Sequence, residues 1–208
     1  ALCESVVNVT NGKLIRLFVD DEPFDVRYGT LHSHERVLDL RAGTLTRTAH
    51  WTSPAGRTVR VTSVRLVSLS QRAIAAVRYE VEVLDGPIRA VVQSELVTNE
   101  ALPGADGDPR AASVLDAPLT SEEHVIDGTR AVTVHRTQRS GLLVAAAMNH
   151  EIDGPSKTQT HGESHPDVSR VTIASEVATG ERLQVVKVLA YGWSSRRSRS
   201  AVHDQVVA

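Results

Sequence analysis

The chain has 208 residues, 41% of them hydrophobic and only 3% aromatic, with 23 Lys plus Arg against 25 Asp plus Glu. A length of this order buries roughly 70% of the surface that the unfolded chain exposes, so a sizeable core forms without staples. The net charge of −2 supplies no general field for nucleic acid or an anionic membrane, and no apolar run reaches the ~18 residues of a membrane span.

With so few aromatic residues, Val, Leu, Ala and Ile must fill the core. Cys3 is the only cysteine, which excludes an intrachain disulfide and leans the compartment toward the cytoplasm. The opening, ALCESVVNVT, has no signal-peptide character and no initiator Met, so the chain reads as a processed or cut piece. Asn8-Val9-Thr10 fits a glycosylation acceptor triplet, a pattern that arises often by chance.

In chain order, the first clear element is VLDLRAGTLTRTAHWTSPAGRTVR, residues 37–60. Leu45, Arg47, Ala49 and Trp51 share one strand face, and Ser53-Pro54-Ala55-Gly56 is turn chemistry. Residues 57–69 return as a second strand. Their apolar phase slips near Ser63, where Val59 and Val61 give way to Val64 and Leu66. The slip predicts a β-bulge or a central strand covered on both faces. Residues 73–83, AIAAVRYEVEV, alternate cleanly, with Ala75, Val77, Tyr79, Val81 and Val83 on the apolar face. With Asp85-Gly86-Pro87 as turn and 88–97 as the next strand, 73–97 reads as a hairpin.

Further strands are expected at 130–136 and 142–148. The second of these, LLVAAAM, is apolar throughout and should be fully buried. Residues 170–177 and 182–191 read as another hairpin across Thr179-Gly180. Two long polar segments, 99–113 and 149–168, read as loops of a length usually tied to binding or mobility. Ser121-Glu122-Glu123-His124 can make one helical turn, and SSRRSRSA (194–201) reads as a linker or the start of a helix. About ten strands with almost no helix predict an all-β fold, a large antiparallel β-sandwich.

Sites are harder to find. Nine histidines invite a metal reading, and His32 and His34 fall two apart, on one strand face. No third ligand has recognisable spacing, so no metal is assigned. There is no GxSxG, no GxxxxGK[ST], and no GxGxxG after a strand. Asp20-Asp21-Glu22 and Glu122-Glu123 read as exposed, solvated acids. Trp51 and Trp193 can stack on a sugar ring, although Trp51 can equally cap the core. Arg41 and Arg47 can hold a carboxylate, with Asp39 as an internal alternative. Trp51, Arg47, His161 and His165 are therefore the candidate carbohydrate contacts, and no catalytic residue is assigned.

L-D-L-R-A-G-x-L-x-R (38–47), the following Trp51, and G-R-x-V-R-V-x-S-x-R-L-V-S (56–68) resemble the N-terminal domain of glycoside hydrolase family 65. VDDEPFDVRYG (19–29) is similar to a segment upstream of those motifs in that family. The resemblance implies a β-supersandwich of the galactose mutarotase-like type over residues 1–192, truncated at its front. Residues 193–208 would then start a linker to an absent catalytic (α/α)6-barrel. It implies inverting phosphorylases of maltose, trehalose and kojibiose, or acid trehalases, whose general acid is a barrel glutamate. No position here inherits that acid. No cofactor is implied; inorganic phosphate is the co-substrate if the parent enzyme is a phosphorylase. The implied partners are the barrel itself, an α-linked disaccharide and a second copy in a homodimer. A stand-alone carbohydrate-binding module and a protein-interaction piece remain as alternatives.

Overall fold

The structure is a computed structural model and describes residues 7–100 and 117–208. The first strands are β1 (Ile15–Val19), β2 (Glu22–Pro23), β3 (Thr30–Asp39), β4 (Thr44–Thr52), β5 (Thr58–Val67), β6 (Ile74–Asp85) and β7 (Ile88–Val97). They are followed by β8 (Leu119–Asp127), β9 (Arg130–Thr137), β10 (Leu143–Asp153), β11 (Gln159–His165), β12 (Val168–Val177) and β13 (Arg182–Ser194), and by one helix, α1 (Arg199–Val207). Two antiparallel sheets result. One has eight strands in the order β3-β4-β5-β6-β13-β10-β9-β8, and the other has five, β11-β12-β7-β1-β2. The antiparallel β-sandwich expected from the period of two is what the chain forms.

The core lies between the sheets. Leu17, Val19, Val92, Leu96, Val171 and Ile173 of the small sheet meet Val59, Val61, Val81, Leu183 and Val185 of the large one. Each such side chain contributes roughly 1.5–3 kcal/mol by leaving water. A second, smaller cluster forms on the outer face of the large sheet, where α1 lays Val202 and Val206 over Val132, Val134, Leu143, Ala145 and Ala147. This explains why 143–148 is apolar on every residue. Ala146 and Met148 face the sandwich core, while Leu143, Ala145 and Ala147 face the helix. Gly192 makes the helix's approach possible, because a Cβ there would lie 3.0 Å from Val206 Cγ1.

The hairpin of β4 and β5 forms as expected, in continuous register from Thr44↔Leu66 to Thr52↔Thr58. Of the two readings of the slip at Ser63, the bulge does not occur there, and β5 is a central strand between β4 and β6 whose outer face is not buried. Ser63 stays on the buried phase after Val59 and Val61, and Leu66 is an exposed residue on the outer face.

Two other expected hairpins are corners between sheets. β6 pairs with β5 and β13, whereas β7 pairs with β1 and β12. The Asp85-Gly86-Pro87 turn therefore carries the chain from the large sheet to the small one, as strand-switching bends do in sandwiches. Residues 178–181 carry it back, since β12 belongs to the small sheet and β13 to the large one. The corners touch: the Gly180 N–H donates to Val83 O at 2.8 Å and the Val83 N–H donates to Glu181 O at 3.1 Å. Turn residues signal that the chain bends. They do not signal which sheet it bends into.

Two further expectations change. Residues 121–124 lie in β8, not in a helical turn. They sit on an edge strand, where Glu122 accepts from Arg136 Nε at 2.6 Å and Glu123 pairs with Arg199 of α1 at 3.2 Å. Charged residues on an edge strand guard it against pairing with another chain. The segment 149–168 is not a long loop: it holds the end of β10, a turn, and β11. Its polar look arises because β11 is the outer edge of the small sheet. Gly162 lets it pass close to β8, as a Cβ would meet Ile126 Cγ1 at 2.9 Å. The other segment, 99–113, lies outside the described residues from 101 on. The basic tail does lead into a helix, capped by Ser198, whose Oγ accepts from the Ala201 N–H at 3.3 Å.

Candidate functional site: an arginine-lined cleft between the sheets

The large sheet is wider than the small one, so β3, β4 and β5 overhang the short edge made by β1 and β2. The wedge between edge and overhang is a cleft of about 590 Å3. Its floor is apolar, from Ile15, Leu17, Val61 and Val77, and Phe24 closes one end. Its polar groups are Arg47, Ser63, Arg65, Tyr79, Asp25 and Arg16, the last paired to Glu95.

Register explains this lining. Arg47 stands opposite Ser63, and Ser63 stands opposite Tyr79, on the buried phase of three adjacent strands. Arg65, two residues past Ser63, follows on the same phase. The slip at Ser63 in the sequence is thus a change of chemistry along one face, from a valine core to a polar cleft. Burial pushes the Tyr79 hydroxyl pKa well up, and the Arg47 and Arg65 charges pull against that shift. Tyr79 is therefore a neutral phenol that can donate a hydrogen bond. Asp25 does not behave as a proton donor. Arg27 holds it through side-chain and backbone hydrogen bonds, and its pKa falls to about 2.

Of the expected contact residues, only Arg47 reaches the cleft. Its Nε donates to His34 Nε2 at 2.9 Å. Trp51 is fully buried at the neighbouring position. Its Nε1 donates to Tyr28 O at 2.6 Å, and its ring meets Phe24 edge-on at 5.2 Å and 87°. It caps the core and leaves no face open for a sugar. His161 and His165 are exposed on β11, at the opposite edge of the small sheet. One bound disaccharide cannot span Arg47 and both histidines.

The expected His32 and His34 pair is split. The register of β3 and β4 shifts between Leu31 and Ser33, which inserts an extra residue. His34 then points toward Arg47, while His32 stacks at 4.5 Å on His50 and bonds Thr52 Oγ1 at 2.7 Å. The two imidazoles end on opposite faces. Among the described residues no cluster of three or more His, Cys, Asp or Glu side chains is placed to hold a metal.

The sequence reading missed a second polar group, deep in the sandwich. Lys187 Nζ is completely buried and donates to Glu95 O at 2.8 Å and Leu14 O at 3.3 Å. Burial lowers its pKa to about 7, against an opposing pull from Glu95. Nearby, His150 joins Ser94 Oγ at 2.8 Å and Thr129 O at 2.7 Å, and burial lowers its pKa to about 4. Glu95 lies beneath Arg16 and Arg170, at 3.2 and 2.7 Å. These groups are enclosed, and they brace β1, β7 and β13 rather than facing a ligand.

An overhanging eight-on-five antiparallel supersandwich, with an open cleft and no enclosed carboxylate pair among its described residues, defines the class. The chain belongs to glycosyl hydrolase family 65, whose N-terminal domain model matches residues 3–208. It is 54% identical over 202 residues to an uncharacterized glycosyl hydrolase of Mycobacterium tuberculosis, a match covering 97% of this chain and 26% of that protein. It is 29% identical over 191 residues to an α,α-trehalose phosphorylase of Thermoanaerobacter brockii, covering 90% of this chain and 24% of that one. A putative kojibiose phosphorylase from the human microbiome shares the fold at TM-score 0.80 and 16% identity, over 97% of this chain and 25% of that one. The chain thus spans about a quarter of the length of the relatives it matches.

Proposed function

We propose that this chain is the non-catalytic N-terminal domain of an inverting α-disaccharide phosphorylase or hydrolase, of trehalose or maltose type, that supports a catalytic (α/α)6-barrel. The observation that carries the reading is the state of the cleft's carboxylate. Inverting cleavage of a glycosidic bond needs a protonated carboxyl on the leaving-oxygen side. Asp25, the acid in the cleft, is held ionised by Arg27. Its relationship to an α,α-trehalose phosphorylase about four times its length supports a site on residues outside this chain.

The overhang supports the same reading. Leu38, Leu40, Val67 and Leu69 are 62%, 85%, 65% and 89% exposed around it. Exposed apolar residues gathered at one end of β3, β4 and β5 mark a surface that another body covers, and the barrel of the full-length protein fits that role. Inorganic phosphate would then enter as co-substrate of the barrel, and this domain would hold no cofactor. The same face is available for contacts between copies in a dimer.

The test is turnover by the purified 208-residue chain with trehalose, maltose or kojibiose, with and without phosphate. No release of glucose or sugar 1-phosphate is expected. Release that tracks the purified chain would overturn the reading. The alternative, a stand-alone carbohydrate-binding module, is favoured by Arg47 in an open cleft. It predicts calorimetric heat with one of these sugars at millimolar concentration, where a supporting domain gives none.

A further inference from the structure

The cleft carries two cations that the surrounding fold does not neutralise. Arg47 stands opposite Ser63, and Arg65 stands opposite Leu45, so the two arginines are diagonal neighbours across β4 and β5. Long side chains reach one another at that spacing. Both act on the Tyr79 hydroxyl, which places the three groups around one volume. Arg47's partner is an uncharged nitrogen, His34 Nε2. The neighbouring acids are already committed: Asp25 to Arg27, and Glu95 to Arg16 and Arg170. Among the described residues neither Arg47 nor Arg65 ion-pairs with a carboxylate. Two like charges set this close repel, and an anion between them relieves the repulsion.

The shape of the cleft narrows the anion. Its volume lies in the roughly 300–1,000 Å3 range of small-molecule sites. Two guanidinium forks and one phenol match the planar pair of oxygens of a carboxylate. The apolar floor of Leu17, Val61 and Val77 suits the apolar body of an organic carboxylate, which inorganic phosphate lacks. A neutral sugar would leave the arginines unneutralised, and Trp51 offers it no face.

We propose that this cleft binds a small organic carboxylate. The carboxylate oxygens accept from the Arg47 and Arg65 guanidinium groups and the Tyr79 hydroxyl, and an apolar body lies on Leu17, Phe24, Val61 and Val77.

Titration calorimetry on the 208-residue chain tests it, with benzoate and hexanoate as probes and benzamide, inorganic phosphate and trehalose as comparisons. One-site, saturable binding of a carboxylate probe is expected. Arg65→Gln and Arg47→Gln should each weaken it about tenfold or more, because each removes a charge-assisted hydrogen bond. Arg60→Gln, on the outer face and paired to Glu82, should leave it unchanged. Arg65 is exposed, so its replacement leaves the core intact, and an unchanged circular dichroism spectrum confirms that. The proposal is overturned if neither carboxylate saturates, if benzamide or phosphate binds as tightly, or if Arg65→Gln binds the probe as the parent chain does.

Discussion

Arg47 donates through its Nε to the Nε2 of His34, at 2.9 Å, across the β3–β4 pair. The bond exists because one extra residue, His32, swings His34 onto the cleft side. Its acceptor must be an unprotonated nitrogen, so the His34 proton sits on Nδ1. Nitrogen-15 NMR of the imidazole at neutral pH should show the Nδ1–H tautomer. A protonated Nε2 would mean that Arg47 is held otherwise.

Trp51 is a core residue, and its replacement should cost stability. Trp51→Ala should lower the unfolding free energy by about 3–5 kcal/mol. Trp51→Phe, which loses mainly the bond to Tyr28 O, should cost about 1–3 kcal/mol. Urea denaturation measures both. Iodide should quench Trp193, which is 63% exposed, and spare Trp51. Quenching of both residues would place Trp51 at the surface.

Acid should unfold the domain partly through His150. Its pKa falls from 6.5 in the open chain to about 4 in the fold, so the unfolded state takes up the proton first. The contribution is intact above about pH 6.5 and is lost as pH falls toward 4, by up to about 3 kcal/mol. His150→Gln should flatten the stability curve in that window. An unchanged slope there would assign the acid sensitivity elsewhere.

Lys187 acts in the opposite range. Its pKa falls from 10.5 to about 7, so the unfolded chain holds the proton through that interval and the folded chain does not. Stability should therefore rise as pH climbs from 7 toward 10. Lys187→Met removes the buried amine with little loss of volume, and its unfolding free energy should show no such rise. A rise that persists in the variant would point to another group.

Gly192 should resist any side chain. A Cβ there meets Val206 Cγ1 at 3.0 Å and Gln205 Cδ at 3.2 Å, so the helix must lift from the sheet. Gly192→Val should cost about 1–3 kcal/mol through overpacking, and hydrogen exchange should quicken in residues 199–207. Unchanged exchange there would show that α1 does not rest on β13.

Much of the fold was legible because strand faces alternate. The inward set Val77, Tyr79, Val81 and Val83 is the one the pattern named, and β4 returned as β5 across the expected turn. Partner choice was not legible, since a turn such as Asp85-Gly86-Pro87 looks the same whether the next strand pairs back or crosses to the other sheet. β8 and β11 were lost to composition: charged and polar residues sit there because both are edges. At the site, Arg47 was found by its side chain. Arg65 and Tyr79 were not, because their meeting with Arg47 depends on cross-strand register. The trace that could have found them was the polar interruption at Ser63.

The two touching corners bear on how the chain folds. Because 85–87 and 178–181 exchange the sheets, β6 finds one neighbour in distant β13, setting Arg182 beside Glu82. β7 likewise waits for both β1 and β12. Sequential hairpins alone complete neither sheet, and loop closure over such separations slows a chain. The sandwich should assemble slowly and late, in one concerted step, and circular permutation inside either corner should change its folding rate more than its stability.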